Sequence, residues 1–388
     1  MATLYASSGA ELGFYSVDAE RAALSQFGLV TLPGNVQEAW PHPSKPFLYV
    51  AWSTRVLSST PRSLAAPPEP SSPAVDAHGI TAFRIDPGSG ALEQHGEPVA
   101  LPARPVFITV DGPGEHMLTA YPEPSGLTVH RINPDGTLGA EVKQPAGLDT
   151  GTYSHQVRVI PDNQRVILVT RGNAPSATRK EDPGALKLFG YKNGVLLNQT
   201  SIAPKGGYGF QARHLDFHPT RPWFFLSLEE QNLLQVYSMP PGEALFAKET
   251  LDRMDGRPRH ALGTVRVHPR GHVVYTANRC HVADESGRIR PGGENTIVVF
   301  RIDQQTGEPV RVQNEDTRGV TPRTFSLDPS GRVLVVGNQT ALGDVPASLA
   351  LFRVMEDGTL EFARKYDVPT GPGTSLFWSG IVSGLGGL

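Results

Sequence analysis

Residues 349–360 read LALFRVMEDGTL, a run of alternating apolar residues followed by a turn-forming segment and a further apolar position. Period-2 alternation followed by Asp, Asn, Pro or Gly is typical of a β-hairpin. Six further segments follow the same pattern, at residues 11–24, 80–92, 127–138, 186–196, 233–245 and 297–310. The chain is therefore predicted to contain seven equivalent hairpins.

A second pattern alternates with the first and consists of an apolar residue, a His-Pro or Asp-Pro turn and a β-rich run, as in FHPTRPWFFLSL at residues 217–228. The opening strand Thr3–Ser7 is expected to take the seventh position of this pattern. Its other copies lie at residues 42–52, 160–170, 267–278 and 327–338, with a weaker one at 110–121. Two hairpins make about four strands per unit, and seven such units around one axis predict an all-β, seven-bladed β-propeller.

The two ends of the chain are predicted to share one closing blade, formed by residues 1–30 and roughly 368–388. A pair of β-sandwiches or an irregular β-solenoid is the alternative, but one sandwich seldom needs seven equivalent units. Residues 1–388 are expected to form a single propeller domain. Three insertions interrupt the repeat, at about residues 55–78, 171–184 and 279–295.

Composition excludes several classes of protein. The 388 residues carry a formal net charge of −3, which gives no general attraction to nucleic acid or to anionic membranes. The single cysteine, Cys280, excludes an intramolecular disulfide framework. No signal-peptide pattern and no membrane-spanning apolar run is found in the sequence, so a cytoplasmic protein is expected. Because propellers close their own sheet edges, a monomer or a weak homo-oligomer is expected.

Polar residues recur at equivalent strand ends in successive units. His155 precedes the strand VRVIP, and Arg213 and His214 precede LDFHP. Glu229 directly follows FFLSL, where a carboxylate is disfavoured in a strand; it is either a solvent-facing turn residue or a partner of Arg213 near the central channel. Matching ends in later units carry Arg279, Arg323 and Gln339. The histidines of the His-Pro turns, His42, His218 and His268, are expected to make turn or inter-strand hydrogen bonds.

Four of these segments resemble the bacterial cycloisomerase-type lactonase family: SHQVRVIPDNQRVILV, ARHLDFHPTRPWFFLSLEEQN, VHPRGHVVYTANR and TPRTFSLDPSGRVLVVGNQ. The family includes the propeller 6-phosphogluconolactonases and the 3-carboxy-cis,cis-muconate lactonising enzymes. The resemblance covers about residues 1–380 and also implies a seven-bladed propeller. It implies a catalytic cluster of one His, two Arg and one Glu, which corresponds here to His155, Arg213, Glu229 and Arg279. His214, Arg323 and Gln339 are then expected to bind substrate.

A lactone is a cyclic ester, and its hydrolysis needs an activated water and a stabilised oxyanion. His155 or Glu229 is a candidate general base, and Arg213 or Arg279 can stabilise the oxyanion or hold an anionic substrate. The sequence predicts hydrolysis of an anionic sugar or organic-acid lactone, without a cofactor or metal. Cyclisation of a muconate-type acid, or a non-catalytic propeller that binds a ligand or protein, are the alternatives.

Overall fold

The computed structural model of the chain describes residues 2–55, 76–176, 178–252, 260–280, 293–342, 344–371 and 374–383. These residues form twenty-nine β-strands and one short 3₁₀ helix, Pro204–Gly207. The strands assemble into seven antiparallel sheets, numbered here as blades 1 to 7. The structure therefore confirms the seven-bladed β-propeller.

Each blade runs from an innermost first strand outwards. Blade 1 contains β1 (Ala2–Ser8), β2 (Glu11–Asp18), β3 (Ala23–Thr31) and, as its first strand, β29 (Ser379–Ser383). Blade 2 contains β4 (Asn35–Pro41), β5 (Phe47–Ser53), β6 (His78–Ile85) and an outer edge divided into β7 (Leu92–Gln94) and β8 (Val99–Ala100). Blade 3 contains β9 (Phe107–Val110), β10 (His116–Pro122), β11 (Ser125–Ile132) and β12 (Leu138–Glu141). Blade 4 contains β13 (Ser154–Val159), β14 (Arg165–Thr170), β15 (Ala185–Lys192) and β16 (Val195–Ile202).

The remaining three blades follow the same order. Blade 5 contains β17 (Ala212–Phe217), β18 (Trp223–Leu228), β19 (Leu233–Ser238) and β20 (Phe246–Glu249). Blade 6 contains β21 (His260–Val267), β22 (Val273–Cys280), β23 (Thr296–Ile302) and β24 (Pro309–Asp316). Blade 7 contains β25 (Pro322–Leu327), β26 (Val333–Asn338), β27 (Ser348–Val354) and β28 (Leu360–Asp367).

The ring is closed by pairing the chain ends, as predicted. Strand β29 pairs antiparallel with β1, with Tyr5 opposite Gly380 and Leu4 opposite Ile381. Of the predicted C-terminal segment 368–388, only Ser379–Ser383 is a strand among the described residues. Blade 1 therefore takes three strands from the N-terminal end and one from the C-terminal end.

Apolar packing lies between the blades rather than at one centre. The described residues contain seven clusters of buried apolar side chains, one at each interface between neighbouring blades. The second strands, such as β5 and β18, are buried along their whole length because both of their faces are covered. This explains why the second sequence pattern is a nearly continuous apolar run.

The histidines of the three His-Pro turns make the predicted kind of turn hydrogen bond, and each of their rings also contacts the following blade. Nε2 of His218 lies 2.8 Å from the Gly271 carbonyl oxygen in the following blade, and Nε2 of His268 lies 3.0 Å from that of Gly331. His42 makes the same contact with Gly114. The backbone N–H of Arg221 donates to Nδ1 of His218, which leaves Nε2 to carry the proton.

Of the three predicted insertions, only the second lies largely within the described residues. The segment 171–184 forms a narrow ladder through the bridges Asn173–Asp182 and Ser176–Arg179. Arg279 and Cys280, predicted to begin the third insertion, still belong to β22. Residues 56–75 of the first insertion and 281–292 of the third lie outside the described residues.

Candidate active site

The channel-facing residues are positioned by β-bulges at the beginning of the first strands. In the pairing of first and second strands, the bulge residues have no partner on the second strand: His155 in β13, Arg213 and His214 in β17, and Arg323 in β25. A bulge turns a side chain away from the alternation of the strand. Tyr153 and Thr321, two residues before His155 and Arg323, have φ of 58° and 57°, a conformation uncommon for residues other than glycine.

The second strands run antiparallel to the first, so they end where the first strands begin. This brings Glu229, directly after β18, to the same end of the channel as Arg171, directly after β14, and Arg279 near the end of β22. The predicted residues His155, Arg213, Glu229 and Arg279 come together at this end. Arg171 joins them, although the sequence analysis treated it only as the start of an insertion.

One carboxylate lies among three guanidinium groups. Oε1 of Glu229 lies 2.9 Å from Nε of Arg213 and 2.5 Å from Nη2 of Arg279, and Oε2 lies 3.0 Å from Nη1 of Arg171. Glu229 is a buried residue, not a solvent-facing turn residue. We call these four residues the Glu229 cluster; with three cations and one anion, it has an excess of positive charge.

The electrostatics fix the ionisation of this cluster. Burial alone would raise the pKa of Glu229, but the charges of Arg171, Arg213 and Arg279 outweigh it and hold the pKa well below its usual value. The Glu229 carboxylate is therefore ionised and a weak proton acceptor. Burial, and next the charge of Arg279, lower the pKa of Arg213. Guanidinium does not lose its proton in proteins, so Arg213 remains a cation. Burial and the nearby charge of Arg279 destabilise this cation.

Arg213 has N–H donors that no acceptor among the described residues uses. Its contact with Glu229 is an ion pair whose geometry is not aligned for a hydrogen bond, and its buried Nη1 has no hydrogen-bond partner among the described residues. A buried charged donor without a partner is costly, and an anionic ligand would satisfy it.

Two histidines lie beside the arginines. The ring centroids of His155 and His214 are 5.0 Å apart, and the ring of Tyr153 stacks on His155 at 6.3 Å. Nδ1 of each histidine lacks a hydrogen-bond partner in the described structure. Burial, and next the charge of Arg213, lower the pKa of both histidines well below 6.5. Both imidazoles are thus neutral at neutral pH, and His155 can accept a proton.

Arg323 lies at the margin of the Glu229 cluster. Its Nε donates to the carbonyl oxygen of Phe377 at 3.1 Å, and its Cζ lies 3.6 Å from the centre of the Phe377 ring. Burial, followed by the charges of Arg279 and Arg104, lowers the pKa of Arg323 to about 9. Gln339 contacts Ser375 at 3.4 Å, and no described contact joins it to the Glu229 cluster.

Glu38 is another buried carboxyl group, and the sequence patterns did not indicate it. It follows the bulge residue Gln37 in β4 and forms no ion pair with any described residue. Burial raises its pKa to about 7, against the opposing effects of the Arg266 charge and a hydrogen bond from Trp378. A separate ion pair joins Arg158 and Asp216, 3.2 Å apart. Aligning NVQEAW with ARHLDF would have marked Gln37 and Glu38 as first-strand positions.

The described residues provide neither a metal site nor a membrane-spanning helix. No group of three or more His, Cys, Asp or Glu side chains there is arranged to hold a metal ion. Among the same residues, no helix has the length and apolar character needed to cross a membrane.

Comparisons with known proteins agree on one family. The family model described as "Lactonase, 7-bladed beta-propeller" matches residues 1–374. A 6-phosphogluconolactonase of Bacillus subtilis (strain 168) is 27% identical over 273 residues, covering 67% of this chain and 70% of the relative. A 6-phosphogluconolactonase of Klebsiella pneumoniae (strain 342) is 25% identical over 374 residues, covering 95% and 97%.

Solved structures support the fold. The periplasmic gluconolactonase PpgL of Pseudomonas aeruginosa superposes with a TM-score of 0.68 at 18% identity, over 95% of this chain and 97% of that chain. A putative 6-phosphogluconolactonase from Bacteroides uniformis gives a TM-score of 0.71 at 18% identity, over 98% and 99%. At these identities the likeness is one of architecture.

Proposed function

The chain belongs to the lactonase family of seven-bladed β-propellers, and from this premise we propose that it hydrolyses an anionic sugar or organic-acid lactone, with 6-phosphogluconolactone as the first substrate to test. The observation that carries the proposal is the Glu229 cluster, in which three arginines surround one buried carboxylate beside a neutral histidine. The names of the relatives support this substrate class.

In the proposed reaction His155 is the general base. A water oxygen bonds to the lactone carbonyl carbon while one water proton passes to the neutral His155 imidazole. The negative charge that develops on the carbonyl oxygen is stabilised by Arg213, whose Nη1 has no hydrogen-bond partner within the described part of the chain. The bond between the carbonyl carbon and the ring oxygen then breaks, and His155 returns the proton to the ring oxygen. The new carboxylic acid releases one proton to solvent.

The electrostatics favour His155 over Glu229 for this role. Three ion pairs hold Glu229 ionised and lower its basicity, whereas the Nδ1 atom of His155 has no hydrogen-bond partner among the described groups. Glu229 then acts by positioning: it holds Arg171, Arg213 and Arg279 around the reacting carbonyl. General base catalysis typically supplies a factor of about 10² to 10⁴, and an oxyanion donor about 10² to 10³.

The test is proton release from freshly prepared 6-phosphogluconolactone in weak buffer, corrected for spontaneous hydrolysis. We expect a rate proportional to enzyme concentration, with glucono-δ-lactone as the unphosphorylated comparison. A muconate-type acid assayed in parallel addresses cyclisation. If purified protein accelerates the opening of neither lactone, hydrolysis as proposed is wrong.

A further inference from the structure

The side chain of Tyr153 contacts both the proposed base and the Glu229 cluster. Its ring stacks on that of His155, with the ring centroids 6.3 Å apart and the planes inclined by 21°. Cζ of Arg171 lies 3.9 Å from the centre of the same tyrosine ring. Nη1 of Arg171 is in turn 3.0 Å from Oε2 of Glu229. One aromatic ring therefore connects the base to the ion pairs that hold the arginines.

The backbone of Tyr153 has an unusual conformation that places this ring. Its φ of 58° lies in the left-handed region, which a bulky side chain disfavours. The N–H of Arg171 donates to the Tyr153 carbonyl oxygen at 3.0 Å, which ties the two residues together through the main chain as well. Glycine would adopt this conformation without strain, and strained residues cluster at functional sites. A tyrosine at this position therefore indicates that its ring is used.

The ring holds the most exposed member of the Glu229 cluster. The side chain of Arg171 is 25% exposed, against 2% for Arg213 and 6% for Arg279. Attraction between a guanidinium and the face of a tyrosine opposes its movement into solvent. Arg171 contacts Oε2 of Glu229, whereas the other two arginines contact Oε1. Holding Arg171 therefore also fixes the orientation of the carboxylate to which Arg213 and Arg279 are bound.

The orientation of the His155 ring also depends on packing. A catalytic base is usually oriented by a hydrogen bond to a third group. Nδ1 of His155 has no such partner among the described residues. The rings of Tyr153 and His214 pack against the imidazole instead. Of these two neighbours, only Tyr153 also contacts a guanidinium of the cluster.

We propose that Tyr153 is a positioning residue, whose ring holds the imidazole of His155 and the guanidinium of Arg171 at a fixed separation. It acts through these two neighbours and not on the reacting atoms. The proposal rests on the proposed function and adds the group that orients its base. A displacement of about 1 Å in a site can cost on the order of 10² in rate, so the loss of this ring should act on kcat.

Tyr153→Leu is the decisive variant, because leucine keeps apolar bulk but offers no aromatic face to the guanidinium. We expect kcat for 6-phosphogluconolactone to fall about tenfold with little change in KM. Tyr153→Phe keeps the ring and should retain the wild-type kcat. Tyr208→Leu, the same replacement at a tyrosine that is 55% exposed, is the matched control. If Tyr153→Leu does not fold, Tyr153→Gly removes the ring and suits the φ of 58°.

The acidic limb of kcat is a readout that a purely structural role would not move. Burial lowers the pKa of His155 most. Its charged and titratable neighbours are Arg213, Arg171 and Arg323, which lower that pKa, Glu229, which raises it, and the neutral His214. Loss of the Tyr153 ring uncovers the imidazole and releases Arg171, and both changes raise the pKa of His155. The acidic limb should therefore move to higher pH in Tyr153→Leu and stay in place in Tyr153→Phe.

Each outcome decides the role of Tyr153. If Tyr153→Leu keeps the wild-type kcat, if Tyr153→Phe loses as much as Tyr153→Leu, or if only KM changes, the positioning role is wrong. Titration of the His155 ring by NMR, with His155→Gln to identify its resonance, requires no turnover. If that titration moves to higher pH in Tyr153→Leu but the wild type opens no lactone, the contact with His155 stands and the hydrolytic function fails.

Discussion

Nε of Arg213 lies 2.9 Å from Oε1 of Glu229, which joins the beginning of the first strand of blade 5 to the residue that follows its second strand. The same Oε1 also lies 2.5 Å from Arg279 of blade 6. One carboxylate oxygen thus ties two blades together at the end of the channel. Glu229 therefore links blades 5 and 6 and also holds the guanidinium groups of the neighbouring arginines in place.

Replacing Glu229 by Gln is expected to impair activity and stability together. The amide keeps the shape of the side chain but leaves the buried guanidinium groups without their counter-charge. Breaking a buried ion pair in this way lowers the free energy of unfolding by about 3–5 kcal/mol. We expect kcat/KM for the lactone to fall by about 10² or more, because the arginines lose their fixed geometry. Urea denaturation and initial rates measure both effects, with Glu243→Gln, an exposed site, as the control. Unchanged rates would remove Glu229 from the site.

The pH dependence of the reaction should identify the base. Burial, reinforced by the Arg213 charge, lowers the pKa of His155 well below 6.5, so the imidazole remains neutral through pH 6.5 and is protonated only in more acidic solution. The wild-type kcat is expected to stay level near neutrality and to fall at acidic pH. In His155→Gln, kcat should drop by about 10² or more and lose that acidic limb. If the acidic limb persists in His155→Gln, it belongs to another group, and Glu38→Gln tests whether that group is the buried Glu38 carboxyl.

Repeat counting predicted the architecture because every blade uses the same two hairpins and buries the same positions. The blade number, the closure by the two chain ends and the His218-type turns all follow from local patterns. The convergence of His155, Arg213, Glu229 and Arg279 was also predictable, since residues at equivalent strand ends of a ring must meet at one end of its axis.

Finer features of the site depend on bulges, which the sequence does not reveal. A bulge adds one residue to a strand without changing the apolar alternation on either side of it, so the direction of Gln37 or His155 cannot be assigned from the pattern. Glu38 was missed for this reason. Gln339 has the strand-end position of Glu229, yet its amide contacts Ser375 instead of the cluster. Arg171 shares that position too, but it resembled the beginning of an insertion.

Glu38 should make the protein less stable as the pH rises. Its pKa is raised by burial from 4.5 to about 7 in the folded protein, so between these values the folded state holds a proton that the unfolded chain has lost. The free energy of unfolding therefore falls as pH rises through this window. Glu38→Gln removes the penalty and is expected to be more stable than wild type above pH 7, by up to about 3 kcal/mol, and similar near pH 4. Urea denaturation at several pH values tests this, with the exposed Glu93→Gln as control; a gain that does not vary with pH would contradict it.

Glycine is required where a His-Pro turn meets the next blade. Gly271 has φ of +75°, and a Cβ there would lie 2.6 Å from Cε1 of His218. Gly271→Ala must therefore strain the backbone and also push the His218 ring away from the Gly271 carbonyl oxygen, which breaks the hydrogen bond between blades 5 and 6. We expect a loss of about 2 kcal/mol or more, the sum of a strained left-handed residue and a lost buried hydrogen bond. Gly242→Ala, where no atom lies within 4 Å of the added carbon and φ is not in the left-handed region, should change stability little. Because both variants add the same methyl group, equal denaturation midpoints would show that the contact with His218 does not hold the blades together.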